Sequence, residues 1–217
     1  MCVIIDQVRK GEQVIRPTRG IRKSIAAFAA IALAGIGATT ASAAITDSMY
    51  PTANTPWSCT DGEMGDGFCR TDNDALTVWL QGTVSSAGKT KVKNALNDQY
   101  NPTDLNVGYP GSPSYSGGSE TDIVYQSGST PSGSRGIAWC NDSVGGNKCD
   151  QHYVRFASSN PPASTTCHET GHAVGLTHGQ NASPRLSQTD SRLACMVTPS
   201  AVASLGAHNK SMINSAY

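Results

Sequence analysis

The sequence predicts an α+β domain in which a twisted mixed sheet packs on two long helices and a short helical subdomain closes the C-terminal end. Three observations lead there. Four segments rich in β-branched and aromatic residues, at 75–80, 121–125, 136–140 and 152–156, read as strands. Two stretches, one opening at Ser85 or Ser86 and one at Ser164 or Thr165, begin with residues that cap helices, and helix-compatible spacing continues from each. After Pro199 the apolar residues Val202, Leu205, Met212, Ile213 and Tyr217 are spaced for one or two final helices.

Residues 1–43 read as an export signal. Arg16, Arg19, Arg22 and Lys23 precede an apolar run at 25–36, and small residues then lead to Ala41-Ser42-Ala43, an A-x-A cleavage site. The run is shorter than the roughly 20 residues that a membrane-spanning helix needs, so a cleaved signal is expected in preference to an anchor. This segment holds six of the 16 Lys and Arg and two of the 16 Asp and Glu, which leaves ten basic and fourteen acidic residues beyond it. A net charge of −4 over residues 44–217 provides no basic patch for nucleic acid.

Residues 44–73, rich in Thr, Ser, Pro, Gly and Asp, read as an irregular arm. Asp61, Glu63, Asp66, Asp72 and Asp74 gather around it without the alternating spacing of a calcium loop, and a solvated turn is expected. The first strand comes next, then a helix to about residue 97 with Val92, Ala95, Leu96 and Tyr100 on its packed face and Lys89, Lys91 and Lys93 on its wet side. Residues 101–120 are dominated by Pro, Gly, Ser and Tyr and read as a long loop. The three later strands lie beyond it, with His152 expected at the surface, and Asn160-Pro161-Pro162 ends them.

The second helix carries the chemistry. Residues 167–179 read Cys-His-Glu-Thr-Gly-His-Ala-Val-Gly-Leu-Thr-His-Gly. His168 and His172, four apart, project from one helical face and can reach one ion. Glu169 stands beside the first of them, placed to take a proton from a water held by that ion. Gly175 can adopt positive φ, stop the helix and turn the chain back, which delivers His178 as a third ligand. Three neutral imidazoles suit Zn²⁺ with a fourth position open for water, the arrangement of a catalytic site. With five His and four Glu in 217 residues, H-E-x-x-H arises by chance roughly 0.002 times per chain, which excludes a casual origin.

His168-Glu169-x-x-His172-x-x-Gly175-x-x-His178 resembles the extended zinc motif of the metzincin endopeptidases. Met196, eighteen residues beyond His178, looks like the methionine of that clan's turn beneath the metal. The strand order resembles the matrixin pattern of an Asp-Ile strand, a Gly-x-Ala strand and an edge strand before the zinc helix. The resemblance implies a zincin-like fold and a small secreted endopeptidase, and a monomer is expected. In it a zinc-bound water attacks the peptide bond, Glu169 is the general base, His168, His172 and His178 hold the Zn²⁺, and the edge strand pairs with an extended protein or peptide substrate. The chain departs from the clan's patterns at Gly179, where several families place a characteristic residue, and at Thr198, where astacin-like members keep a Tyr. The alternative is a catalytically inactive binding module on the same fold.

Cysteine usage agrees with export. Cys2 leaves with the signal, and Cys59, Cys69, Cys140, Cys149, Cys167 and Cys195 remain, an even number that favours disulfides although it permits fifteen pairings. Proximity in sequence pairs Cys59 with Cys69 and Cys140 with Cys149, which leaves Cys167 for Cys195. Metal binding by Cys167 or Cys195 is the competing assignment.

Overall fold

The computed structural model describes residues 47–56, 58–63, 68–131 and 133–217, all within one compact unit. The expected export signal and Asp66 lie outside the described residues. The fold is a mixed α/β arrangement with a mainly parallel five-stranded sheet. Its elements in chain order are β1 (Arg70–Thr71), β2 (Val78–Leu80), α1 (Ser86–Ala95), β3 (Ile123–Ser127), β4 (Gly136–Gly145), β5 (Lys148–Phe156), α2 (Ala163–Ala173) and α3 (Ala207–Ala216).

β2, β3 and β5 lie side by side and parallel, with Val78 opposite Ile123 and Ile123 opposite His152. Parallel neighbours need a long connection, and α1 lies in the one between β2 and β3. β1 adds a short parallel pairing at the start of β5, and β4 runs antiparallel along its other side. The expected edge strand at 152–156 is therefore an interior strand, and β4 takes the edge. The tight turn at Gly145-Gly146-Asn147 folds β5 back on β4 and puts it between β4 and β3. β1 falls in the arm expected to be irregular; two residues are too few to show a strand pattern.

α1 starts at the expected Ser85, whose Oγ accepts from the Gly88 amide at 3.1 Å. It continues as a π-helical turn, Leu96–Tyr100, so that Val92, Ala95, Leu96 and Tyr100 all reach the core. α2 begins two residues before its expected cap, at Pro162, and no side chain caps it. Proline's fixed φ suits the start of a helix, and its missing N–H is one that the helix would have left unpaired. The last segment forms one helix, α3, while Leu205 and Ile213 are buried and Val202 is exposed.

The core fills the space between sheet and helices with Leu76, Val78, Ile123, Tyr125, Val154 and Phe156 from the strands and Leu96, Tyr100, Ala173 and Val174 from the helices. Buried hydroxyls tie α2 in place. Tyr100 donates to the Cys167 carbonyl at 2.5 Å, the Tyr125 and Thr170 hydroxyls meet at 2.7 Å, and the Tyr217 hydroxyl donates to the Val174 carbonyl at 3.0 Å. Such bonds anchor a helix along its length because a buried hydroxyl left unpaired is costly. All three expected disulfides are present, Cys59–Cys69, Cys140–Cys149 and Cys167–Cys195. No helix among the described residues is long and apolar enough to cross a membrane.

Candidate metal centre

His168, Glu169 and His172 all lie on α2 and all are buried, with exposures of 5–6%. α2 ends at Ala173, Val174 caps it, and Gly175 takes φ +96°, a left-handed conformation that turns the chain back on the helix. The Gly175 amide donates to the His172 carbonyl at 2.9 Å and the Leu176 amide to the Gly171 carbonyl at 2.7 Å, which closes the bend. A strand-like strap at residues 47–50 fixes residues 175–177: the Tyr50 amide donates to the Gly175 carbonyl at 2.7 Å and the Thr177 amide to the Ser48 carbonyl at 2.9 Å. His178 comes next and points back at the helix.

The three histidines converge. The Nε2 atoms of His168 and His178 are 3.0 Å apart, those of His172 and His178 3.0 Å, and those of His172 and His168 3.1 Å. The other ring nitrogens settle the protonation of two of them. His168 Nδ1 is 2.8 Å from the Cys195 carbonyl and His172 Nδ1 is 2.9 Å from the Leu176 carbonyl, and because a carbonyl only accepts, both Nδ1 atoms carry the proton. In a neutral ring the Nε2 is then a bare lone pair. Two lone pairs facing each other at 3.1 Å repel unless a cation lies between them, and second nitrogens bonded to backbone carbonyls are the usual support of metal-binding histidines.

Burial drives all three imidazoles toward the neutral, ligating form. His178 is pushed down to about 4, first by burial and then by His168. His172 falls well below its ordinary value through burial and then its two histidine neighbours, and His168 is lowered by burial against the opposing bond to the Cys195 carbonyl. Glu169 moves the other way: burial raises its carboxyl to about 8. The same four side chains line a cleft of about 400 Å³ together with Phe68, residues 133–138 and residues 198–200.

The supporting shell explains several residues. A Cβ on Gly136, the first residue of β4, would stand 2.7 Å from Glu169 Cγ, so only glycine lets the edge strand lie against this carboxyl. A Cβ on Gly179 would stand 2.6 Å from the Ser187 carbonyl, which gives the residue after the third histidine a packing reason to be small. Met196, 1% exposed, lies under α2 against Gly171 at the end of the turns formed by Ser191–Met196. Cys167 and Cys195 are bonded to each other, so neither offers a free thiolate to a metal.

The structure thus brings together all four residues picked from sequence. It adds Phe68, whose ring centroid is 5.0 Å from that of His172 and 5.8 Å from that of His178. Phe68 lies in an irregular, glycine-rich stretch with no periodic pattern around it, and the expected Cys59–Cys69 pair closes within the same arm, so neither points to this approach. His152, expected at the surface, is fully buried, and its Nε2 lies 2.9 Å from the Cys69 carbonyl. No protein-family model matches the chain, and no curated protein is similar to it in sequence.

Proposed function

We propose that this chain is an exported zinc-dependent endopeptidase of the metzincin type, with His168, His172 and His178 as metal ligands and Glu169 as general base. The observation that carries the reading is the triangle of Nε2 atoms, 3.0 to 3.1 Å on a side, with a buried carboxyl on the adjoining residue. Three imidazole nitrogens at about 2.0–2.1 Å from one Zn²⁺ stand roughly 3.0–3.4 Å from one another, so both the donors and their spacing fit that ion. Zinc held there supplies a Lewis acid that polarises a carbonyl and makes water acidic near neutral pH.

The remaining work falls to the chain. A carboxyl raised to about 8 by burial returns to its ionised form beside a positive charge, and Glu169 is then a base able to take a proton from the attacking water and pass it to the leaving amine. β4 offers its outer edge at residues 136–138, where an extended peptide can add as a further strand. Thr198, Pro199 and Ser200 form the opposite wall and receive a substrate side chain. Three disulfides agree with an oxidising, extracellular location.

Glu169→Gln tests the reading. Cleavage of casein or a peptide library falls at least about 100-fold while the zinc content stays at one per chain, because base and ligands are separate groups. Full activity in that variant, or wild-type cleavage indifferent to a zinc chelator, contradicts the proposal.

A further inference from the structure

The histidine cleft has a charged group on its rim that the metal chemistry does not use. Arg135 lines the cleft one residue before β4, and apart from Glu169 and the histidines no other ionisable side chain does so among the described residues. It is exposed and forms no ion pair among the described residues. Arginines elsewhere have partners: Arg155 pairs with Glu63 and lies over the Trp139 ring, Arg192 pairs with Asp190, and Arg185 donates to the Asn54 side chain at 3.0 Å.

The loop that carries Arg135 is fixed by its own hydrogen bonds. The Ser134 amide donates to the Pro131 carbonyl at 2.9 Å, the Thr130 hydroxyl to the Ser134 carbonyl at 2.8 Å, and the Ser134 hydroxyl to the Gly136 carbonyl. The Ala157 amide donates to the Arg135 carbonyl at 3.0 Å, which continues the pairing of β4 with β5 one residue past Gly136 and Phe156. Strand geometry therefore extends to Arg135, whose side chain leaves the opposite face of the strand from position 136. Position 136 faces Glu169, since a Cβ there would stand 2.7 Å from Glu169 Cγ.

A peptide added along the open edge of β4 alternates in the same way. The side chain that it sends in beside Gly136 flanks the bond within reach of Glu169, and the next one stands out beside Arg135. Antiparallel pairing is the more stable per residue, and in it that next residue is C-terminal, on the leaving-amine side of the bond. There it is a cross-strand neighbour of the guanidinium, where an opposite charge attracts and a like charge repels. Residues 44–217 carry a net charge of −4, so the chain as a whole does not draw acids in. The attraction is local, within a screening length of about 8–10 Å of Arg135.

We infer that the cleft selects substrates with Asp or Glu in the first two positions after the scissile bond, and that Arg135 reads the acid. The inference rests on the endopeptidase reading and adds a substrate class to it. Arg presents a planar fork of donors that matches a carboxylate, and a fixed loop lowers the cost of ordering it. The contact exists before and during the reaction alike, so it strengthens binding and leaves proton transfer to Glu169.

The test is cleavage of a randomised peptide library by the zinc-loaded full chain, with the residues flanking each cut read by mass spectrometry. Asp and Glu are expected to be enriched about 3-fold on the leaving-amine side, and much less so at about 1 M salt, where the screening length is about 3 Å. For a single peptide cut at one bond, Glu→Gln at that position raises KM about 3-fold with kcat little changed, the mark of a binding contact. Arg135→Gln abolishes the enrichment, Arg135→Glu turns it toward Lys and Arg, and Arg135→Lys retains it, which serves if either of the first two variants does not fold. Cutting without acidic enrichment, enrichment on the acyl side only, or enrichment that survives Arg135→Gln overturns the inference and leaves the endopeptidase reading standing. A library left uncut overturns both.

Discussion

His152 is a buried base whose charge works against the fold. Burial pushes its imidazole down to about 4, against the opposing bond to the Cys69 carbonyl, whereas in the unfolded chain it titrates near its ordinary value of about 6.5. Between these values the unfolded state binds the extra proton. The stability contributed by the neutral ring is therefore complete above about 6.5 and is lost as pH falls toward about 4, a change on the order of 3 kcal/mol. Asp122, raised to about 6 chiefly by burial, has the opposite slope, favouring the fold at acid pH, so the histidine is best isolated by difference. His152→Gln is expected to flatten the fall in Tm between pH 6.5 and pH 4 relative to the parent; identical pH profiles for the two proteins refute this. The alternating pattern of residues 152–156 identifies a strand, but it does not say that both faces are covered. What hides His152 is a carbonyl 83 residues away, and no local pattern contains that. The four residues of the metal centre, by contrast, are legible because helical geometry alone brings His168 to His172, and the positive φ of Gly175 accounts for His178.

At the level of elements, α2 and the turn below it act as one piece. His168 Nδ1 donates to the Cys195 carbonyl, and Cys195 is also bonded through sulfur to Cys167, the residue before His168. The disulfide thus holds in place the carbonyl that orients the first of the three histidines. Replacing Cys167 and Cys195 together by Ala opens a loop with a sequence separation of 28 and is expected to lower stability by about 3–4 kcal/mol and to weaken zinc affinity. Unchanged melting and zinc affinity in the double variant refute the coupling. Pairing these cysteines from sequence succeeds because the four alternative partners, Cys59, Cys69, Cys140 and Cys149, pair off among themselves in much shorter loops. The edge assignment fails for a reason of the same kind: strands appear in sequence in chain order, while their order in the sheet depends on how each hairpin folds back. β4 extends to Gly145, well past the apolar segment at 136–140 that marks it, because pairing with β5 continues through polar residues.

On the scale of the molecule, a parallel-dominated sheet provides a rigid floor, α2 lies across β4 and β5, and the strap at residues 47–50 holds the bend carrying His178. All three helices, four of the five strands and all three disulfides are legible in the sequence, since periodicity, capping and cysteine spacing are local properties. The strap, β1 and the approach of Phe68 to the histidines are not, since each depends on where distant chain is laid down. The central claim is the convergence of three bare Nε2 atoms on one ion. X-ray absorption at the zinc edge of the purified protein measures it most directly: the predicted result is one zinc per chain with a shell of three imidazole nitrogens at about 2.0–2.1 Å and no sulfur. A sulfur shell near 2.3 Å, or fewer than three imidazoles, contradicts it.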